Sequence, residues 1–200
     1  MLEDITGHVL IVMAPMGSGK GTLIRRLREK FPTLELTVSC TTRAPRPGEV
    51  DGQDYHFLTP DQFTAKIAAG EFLEWATFGL HRYGTLKSEI IPRLQTGKIV
   101  IAEIEVQGVE QLHQLIPAEF ITTAYIEAGG WEVLKARALA RAPMDEVELA
   151  QRHERYLVER EMKQIADVII DNSNDDIDRA DAQFQALIQS LYARLGAKNK

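Results

Sequence analysis

Cys40 is the only cysteine in 200 residues, so no internal disulfide can brace this chain. Positive charge is also scarce: 23 Lys and Arg face 29 Asp and Glu, a net charge of -6. That balance withholds the broad basic surface that nucleic acids and anionic membranes select, so neither is an expected partner. Long apolar runs are missing too. Val9 to Met13 is among the longest, far short of the roughly 20 residues a membrane-spanning helix needs. Residues 1–7 carry acids where a secretory leader would carry bases and then an apolar stretch, which makes the cytoplasm the expected compartment. There is no internal repeat, low-complexity block or long linker. What remains, 44% hydrophobic and 26% charged residues, suits one compact domain over residues 1–200.

The apolar runs are short and spaced. Val9 to Met13, Ile99 to Ile104, Ile121 to Ile126 and Val168 to Ile170 read as buried strands separated by helical segments. That alternation predicts an α/β fold with a parallel sheet flanked by helices. Between the first helix, through Leu23, Ile24 and Leu27, and the run at Ile99 lies an insertion broken by Pro45, Pro47, Gly48 and Gly52. Within it, Thr59-Pro60-Asp61-Gln62 predicts a capping-box helix start, Gly70 its stop, and Leu86 to Thr96 a second helix. Trp131 to Ile165 reads as two helices around Ala142-Pro143, with only scattered apolar positions. An apolar stripe, Phe184, Leu187, Ile188, Leu191 and Leu195, predicts a helix over residues 183–195.

One segment carries specific chemistry. Ala14, Pro15, Met16, Gly17, Ser18, Gly19, Lys20, Gly21 and Thr22 follow a buried strand and precede a helix, the context of a phosphate-binding loop. Glycines let backbone N–H groups converge on an anion, the helix N-terminus adds its dipole, and Lys20 reaches the outer phosphates. Ala14 replaces the first glycine of the general motif. Gly21 replaces its magnesium-contacting hydroxyl residue, which leaves Thr22 as the nearby hydroxyl.

The acceptor must be read from the insertion, because a phosphate loop serves many chemistries. It holds Ser39-Cys40-Thr41-Thr42-Arg43-Ala44-Pro45-Arg46-Pro47-Gly48-Glu49-Val50-Asp51-Gly52, then Asp54-Tyr55-His56-Phe57, Gly70-Glu71-Phe72-Leu73-Glu74-Trp75-Ala76 and Tyr83-Gly84-Thr85. From about Val9 to Val168 the chain resembles guanylate kinase, with these motifs in the same order. The resemblance implies a P-loop nucleoside-monophosphate kinase fold: a core over 1–38, 95–130 and 166–200, a GMP-binding subdomain over 39–94 and a helical lid over 131–165. It implies transfer of a phosphoryl group from ATP, with Mg2+, to GMP or dGMP.

Residue by residue, the resemblance places Arg43, Arg46, Tyr55 and Tyr83 on the acceptor phosphate, and Ser39, Glu74 and Thr85 on the base. Two guanidinium forks three positions apart suit a phosphate monoester, and a carboxylate with hydroxyls complements the N–H donors and O6 of guanine. Lid arginines Arg137, Arg141 and Arg152 would join Lys20 and Arg43 in stabilising the transferring phosphoryl group. Glu103 and Glu105, read as lying on one face at a strand end, are candidates for magnesium together with Thr22, and Glu105 also for GMP. Glu105 stands where the family usually has aspartate, and Ala142-Pro143 replaces a glycine-containing lid turn. Cys40 is expected to fill space beside the site rather than react. Either Asn172 or Asn174 aligns with the family's segment near adenine. Two alternatives remain open at this point: a kinase of the same architecture for another monophosphate, and a catalytically silent module that binds a phosphorylated protein.

Overall fold

In the computed structural model, the described residues are 4–104, 106–141, 143–173 and 176–198, with the backbone alone described at 106, 141, 197 and 198. The chain forms two compact units. One comprises residues 1–11 and 35–121, the other residues 12–34 and 122–200.

In the first unit, β1 (His8–Met13) begins, and β2 (Glu35–Leu36) and β7 (Ile99–Ala102) run parallel to each other, with His8 opposite Ile99 and Glu35 opposite Val100. Every residue of β1 and β7 is buried, which explains why both read as unbroken apolar runs rather than alternating ones. β7 ends at Ala102, so Glu103 lies just beyond the strand, and the alternation expected to pair it with Glu105 falls on a residue outside the described ones. The insertion is a second sheet. Its strands β3 (Cys40–Thr41), β4 (His56–Phe57), β5 (Phe72–Phe78) and β6 (His81–Leu86) lie in the order β4-β3-β6-β5, mixed in direction, with β5 at the edge. Three helices of the first unit are α2 (Pro60–Ala68), α3 (Lys87–Gln95) and α4 (Val106–Leu115).

The expected capping box starts α2: Thr59 Oγ1 accepts the Gln62 N–H at 3.2 Å, and the Gln62 side chain accepts the Thr59 N–H at 2.8 Å. Gly70 follows its end with φ 65, the left-handed conformation that glycine adopts without steric cost. Cys40, Phe63 and Phe72 form the buried centre of this sheet, the two rings stacked at 4.4 Å. Burial pushes the Cys40 thiol up to about 11, so it stays protonated and inert, as expected of a space-filling residue.

The second unit holds α1 (Lys20–Lys30), β8 from Thr122 onward (Ile121–Glu127 in full), α5 (Trp131–Arg141), α6 (Glu146–Glu161), β9 (Val168–Asp171) and α7 (Ile177–Lys198). β8 and β9 are parallel, with Ala124 opposite Val168. Within the units the parallel strands run β2-β7-β1 in the first and β8-β9 in the second. α7 starts six positions earlier than its apolar stripe predicts, because Asp176 caps it by accepting the Arg179 N–H at 3.0 Å. Its stripe is buried as expected. α5 and α6 are joined by an aromatic contact, Trp131 against His153 at 4.7 Å and Tyr156 at 5.8 Å. Among the described residues, no helix is long and apolar enough to cross a membrane.

Candidate active site

The phosphate loop occupies the turn from β1 to α1 in the second unit. Gly17 and Gly19 take φ of 84 and 87, values a side chain would strain. α1 has no side-chain cap and no acid in its first turn, and it opens on Lys20. Each of those choices is unfavourable for a helix and favourable for an anion at its N-terminus.

The loop's carbonyls are tied from behind. Asn172, buried just after β9, donates its Nδ2–H to Ser18 O at 2.8 Å, and Arg137 donates to Gly17 O at 3.4 Å. Within the loop, the Ser18 N–H donates to Pro15 O at 3.1 Å and closes the turn. Glu159 of α6, only 6% exposed, accepts the Met16 N–H at 3.3 Å and the Arg155 Nε–H at 2.6 Å. Arg152 pairs with Glu148 at 2.6 Å and also meets Met16 Sδ. Arg137 and Arg152 are therefore both placed at the loop. The side chain of Arg141 lies outside the described residues, as do Glu105, Ala142 and Asn174. Between the two asparagines considered for the nucleotide segment, Asn172 is the one seen against the loop. Asn172→Ala removes the partner of the buried Ser18 carbonyl, and unfolding in denaturant should show about 1–3 kcal/mol of lost stability.

The residues expected to hold the acceptor lie in the first unit. Arg43 donates from Nη1 and Nη2 to the two carboxylate oxygens of Glu49 at 2.8 and 2.9 Å, and its Cζ lies 5.4 Å from the centre of the Tyr55 ring. Tyr55 and Tyr83 meet edge to face at 6.2 Å. Glu49 also accepts the Arg46 N–H at 2.7 Å, while the Arg46 side chain is exposed. Its Arg43 hydrogen bonds hold the Glu49 carboxyl down at about 2. Ser39, half-buried between β2 and β3, accepts the His56 N–H through its carbonyl at 2.9 Å.

Glu74 is 4% exposed and sits within β5, at a register shift. Directly opposite it is Thr85, whose Oγ1 is fully buried without a hydrogen-bond partner among the described residues. A buried hydroxyl left open is costly unless something else is bound there.

The family model described as guanylate kinase matches residues 6–191. This chain belongs to the guanylate kinase family. A guanylate kinase of Trichormus variabilis is 37% identical over 190 residues, which cover 95% of this chain and 90% of that one. One from Nocardia farcinica is 36% identical, over 94% of this chain and 96% of that one. The crystal structure of guanylate kinase from Anaplasma phagocytophilum superposes with a TM-score of 0.71 at 23% identity, covering 95% of this chain and 88% of that one. As a guanylate kinase, the protein phosphorylates GMP to GDP, with ATP and GMP as substrates.

Several residues that shape this guanylate kinase site are not legible as such from the sequence. Glu49 was visible six positions from Arg43, but its pairing depends on how the proline-braced loop closes. Glu159 and Arg155 lie more than a hundred positions from the loop they support. Gly108 and Gln111 sit on a helix whose neighbour in space, β5, is remote in the chain.

Proposed function

We propose that the two units divide the substrates of the guanylate kinase reaction: the second holds the ATP phosphates and the first reads GMP. The single observation carrying the acceptor side is the cross-strand pair of Glu74, almost fully buried, and Thr85, with its open buried hydroxyl. A carboxylate accepts the N1 and N2 protons of guanine and a hydroxyl meets a further polar edge, whereas adenine would turn a lone pair toward Glu74. The deoxynucleotide dGMP presents the same base and serves equally in this reading.

On the donor side, backbone N–H groups of the loop over residues 14–22, those of Gly17, Gly19 and Gly21 among them, and the Lys20 ammonium take the β- and γ-phosphates. Arg43, Arg46, Tyr55 and Tyr83 hold the acceptor phosphate. One of its oxygens attacks the γ-phosphorus in line, the bond to the bridging oxygen of ADP breaks, and GDP forms. Negative charge on the transferring group is met by Lys20, Arg43, Arg137, Arg141 and Arg152. Arg152 must exchange Glu148 for phosphate to do so, which makes the 131–165 segment a closing lid in this reading. The remaining boundaries follow the same division: a GMP-binding subdomain over 39–94 and a core over 1–38, 95–130 and 166–200, in a cytoplasmic enzyme.

Among the described residues, no group of three His, Cys, Asp or Glu side chains could hold a metal ion by itself. That donor set fits magnesium that arrives on ATP and keeps phosphate and water ligands. Thr22, in the first turn of α1, would supply a hydroxyl, and Glu103 and Glu105 would act through water. Bound there, the ion would neutralise charge on the β- and γ-phosphates.

A panel of monophosphates tests the base-reading assignment. GMP and dGMP should be phosphorylated at least about a hundredfold more efficiently than AMP, CMP or UMP, since a site built to hydrogen-bond one base rejects others strongly. AMP turned over within a factor of ten of GMP would remove Glu74 and Thr85 from that role.

A further inference from the structure

A glycine inside a helix loses more backbone freedom on folding than alanine and offers no side chain to pack. Gly108 lies in the first turn of α4, is buried, and has no positive φ that would demand glycine. Its backbone therefore does not explain it. Its neighbour does. A Cβ at position 108 would overlap Glu74 Oε2 and stand 2.9 Å from Glu74 Cδ and 2.7 Å from Ile104 Cγ2, against the roughly 3.5 Å at which non-bonded carbons first attract. The volume of that missing methyl group is filled by the Glu74 carboxylate.

The same face of α4 also fixes the strand that carries Glu74. Gln111, three positions on and so next to Gly108 on the helix surface, accepts the Trp75 N–H at 3.1 Å and donates to Trp75 O at 2.8 Å. β5 is an edge strand, and the Gln111 amide takes up pairing that the edge leaves open. From the opposite side, a Cβ on Gly84 of β6 would come within 2.8 Å of both Glu74 O and Trp75 Cβ. The backbone of Glu74 is thus crowded from β6, and its carboxylate is seated against α4 where only glycine leaves room.

We propose that Gly108 is a specificity-determining position for the guanine base, acting through the placement of the Glu74 carboxylate, with Gln111 holding the adjoining strand in register. The inference rests on the reading of Glu74 as the base-reading group. Gly108 is a positioning residue: it touches the carboxylate and not the reacting atoms.

The test is a double-mutant cycle on the full-length enzyme, with KM for GMP, KM for ATP, kcat and melting temperature measured for Gly108→Ala, Glu74→Ala and the pair. Gly108→Ala should raise KM for GMP at least about tenfold, because a displacement near 1 Å at a binding group is enough for that. KM for ATP should stay within about twofold, the spread expected of independent sites. In the Glu74→Ala background, adding Gly108→Ala should change KM for GMP by less than about twofold, since the group it displaces is gone. The melting temperature of Gly108→Ala should fall modestly, since the crowding at Glu74 and Ile104 is offset only in part by the helix preference of alanine.

Gly108→Ala with an unchanged KM for GMP, beside a Glu74→Ala that raises it, would overturn the role of Gly108 alone. Equal losses from Gly108→Ala in both backgrounds would show that it does not act through Glu74. A Glu74→Ala with unchanged KM for GMP would instead remove the base-reading assignment on which the inference rests. If Gly108→Ala alone does not fold, the double variant should fold, because its carboxylate has vacated the space; failure of both would place the clash elsewhere and reject the proposal.

Discussion

Lys20→Ala is expected to lower kcat/KM for both substrates by roughly a thousandfold, about 4 kcal/mol of transition-state stabilisation, the upper range for removing one preorganised donor from a developing phosphoryl charge. The loop itself should survive. Its shape is set by Gly17 and Gly19 at positive φ and by the Asn172 and Arg137 hydrogen bonds to Ser18 O and Gly17 O, none of which uses the lysine side chain. A lysine at the first position of a helix also faces the positive end of the dipole, so its removal should leave thermal stability unchanged or slightly higher. The combination is diagnostic: activity collapses while the melting temperature holds. Equal ATP affinity in the wild type and Lys20→Ala would contradict the assignment of Lys20 to the donor phosphates.

The second large effect should come from the acceptor side, at Arg43. Its guanidinium is occupied by Glu49 along one edge and stacks near Tyr55, so it is oriented before any phosphate arrives. Arg43→Ala removes two contacts to the acceptor phosphate in this reading and leaves the Glu49 carboxylate without its main counter-charge. Phosphate and carboxylate then repel. The expected loss in kcat/KM for GMP is about 4 kcal/mol, roughly a thousandfold, within the 2–5 kcal/mol typical of truncating one partner of a hydrogen-bonded charge pair. KM for ATP should be little changed. Arg43→Ala with Glu49→Ala should recover about tenfold of the loss, because the opposing charge is gone and the two sites are coupled. A double variant no better than Arg43→Ala would show that Glu49 does not act against the bound phosphate.

These two residues illustrate what kind of feature a sequence exposes. Lys20 was recognisable because strand, glycine turn, lysine and helix are contiguous, and the physics of an uncapped helix N-terminus is local. Arg43 stood out as a candidate phosphate ligand by its spacing from Arg46, yet its partner Glu49 did not. Which side chain a guanidinium meets within a loop depends on loop closure, and residue types do not encode that directly. The strands β1 and β7 were legible because burial on both faces favours an unbroken apolar run, whereas β9, with Ile169 exposed, showed only as a short apolar run. The smaller sheet was not. β3 and β4 are two residues long, too short for any periodicity to appear. α7 was found but shortened, since its first turn is held by the Asp176 cap rather than by apolar burial.

The phosphate loop began as a motif, and the sequence by itself determined that much: a strand, an anion-binding turn with Lys20 at the head of α1, and an acceptor segment whose order and residue types resemble those of guanylate kinases. These are properties of contiguous residues, and local chemistry is sufficient to specify them. Only the tertiary structure decided what holds the loop and what surrounds the proposed base-reading carboxylate. Asn172 meets Ser18 across 154 positions, Glu159 meets Met16 across 143, and Glu74 finds Thr85 opposite it and Gly108 against its carboxylate. The reason is physical. Contacts between distant segments are selected by how sheets register and helices pack, and a missing methyl group at Gly108 acquires its meaning only once a carboxylate has been folded into the space.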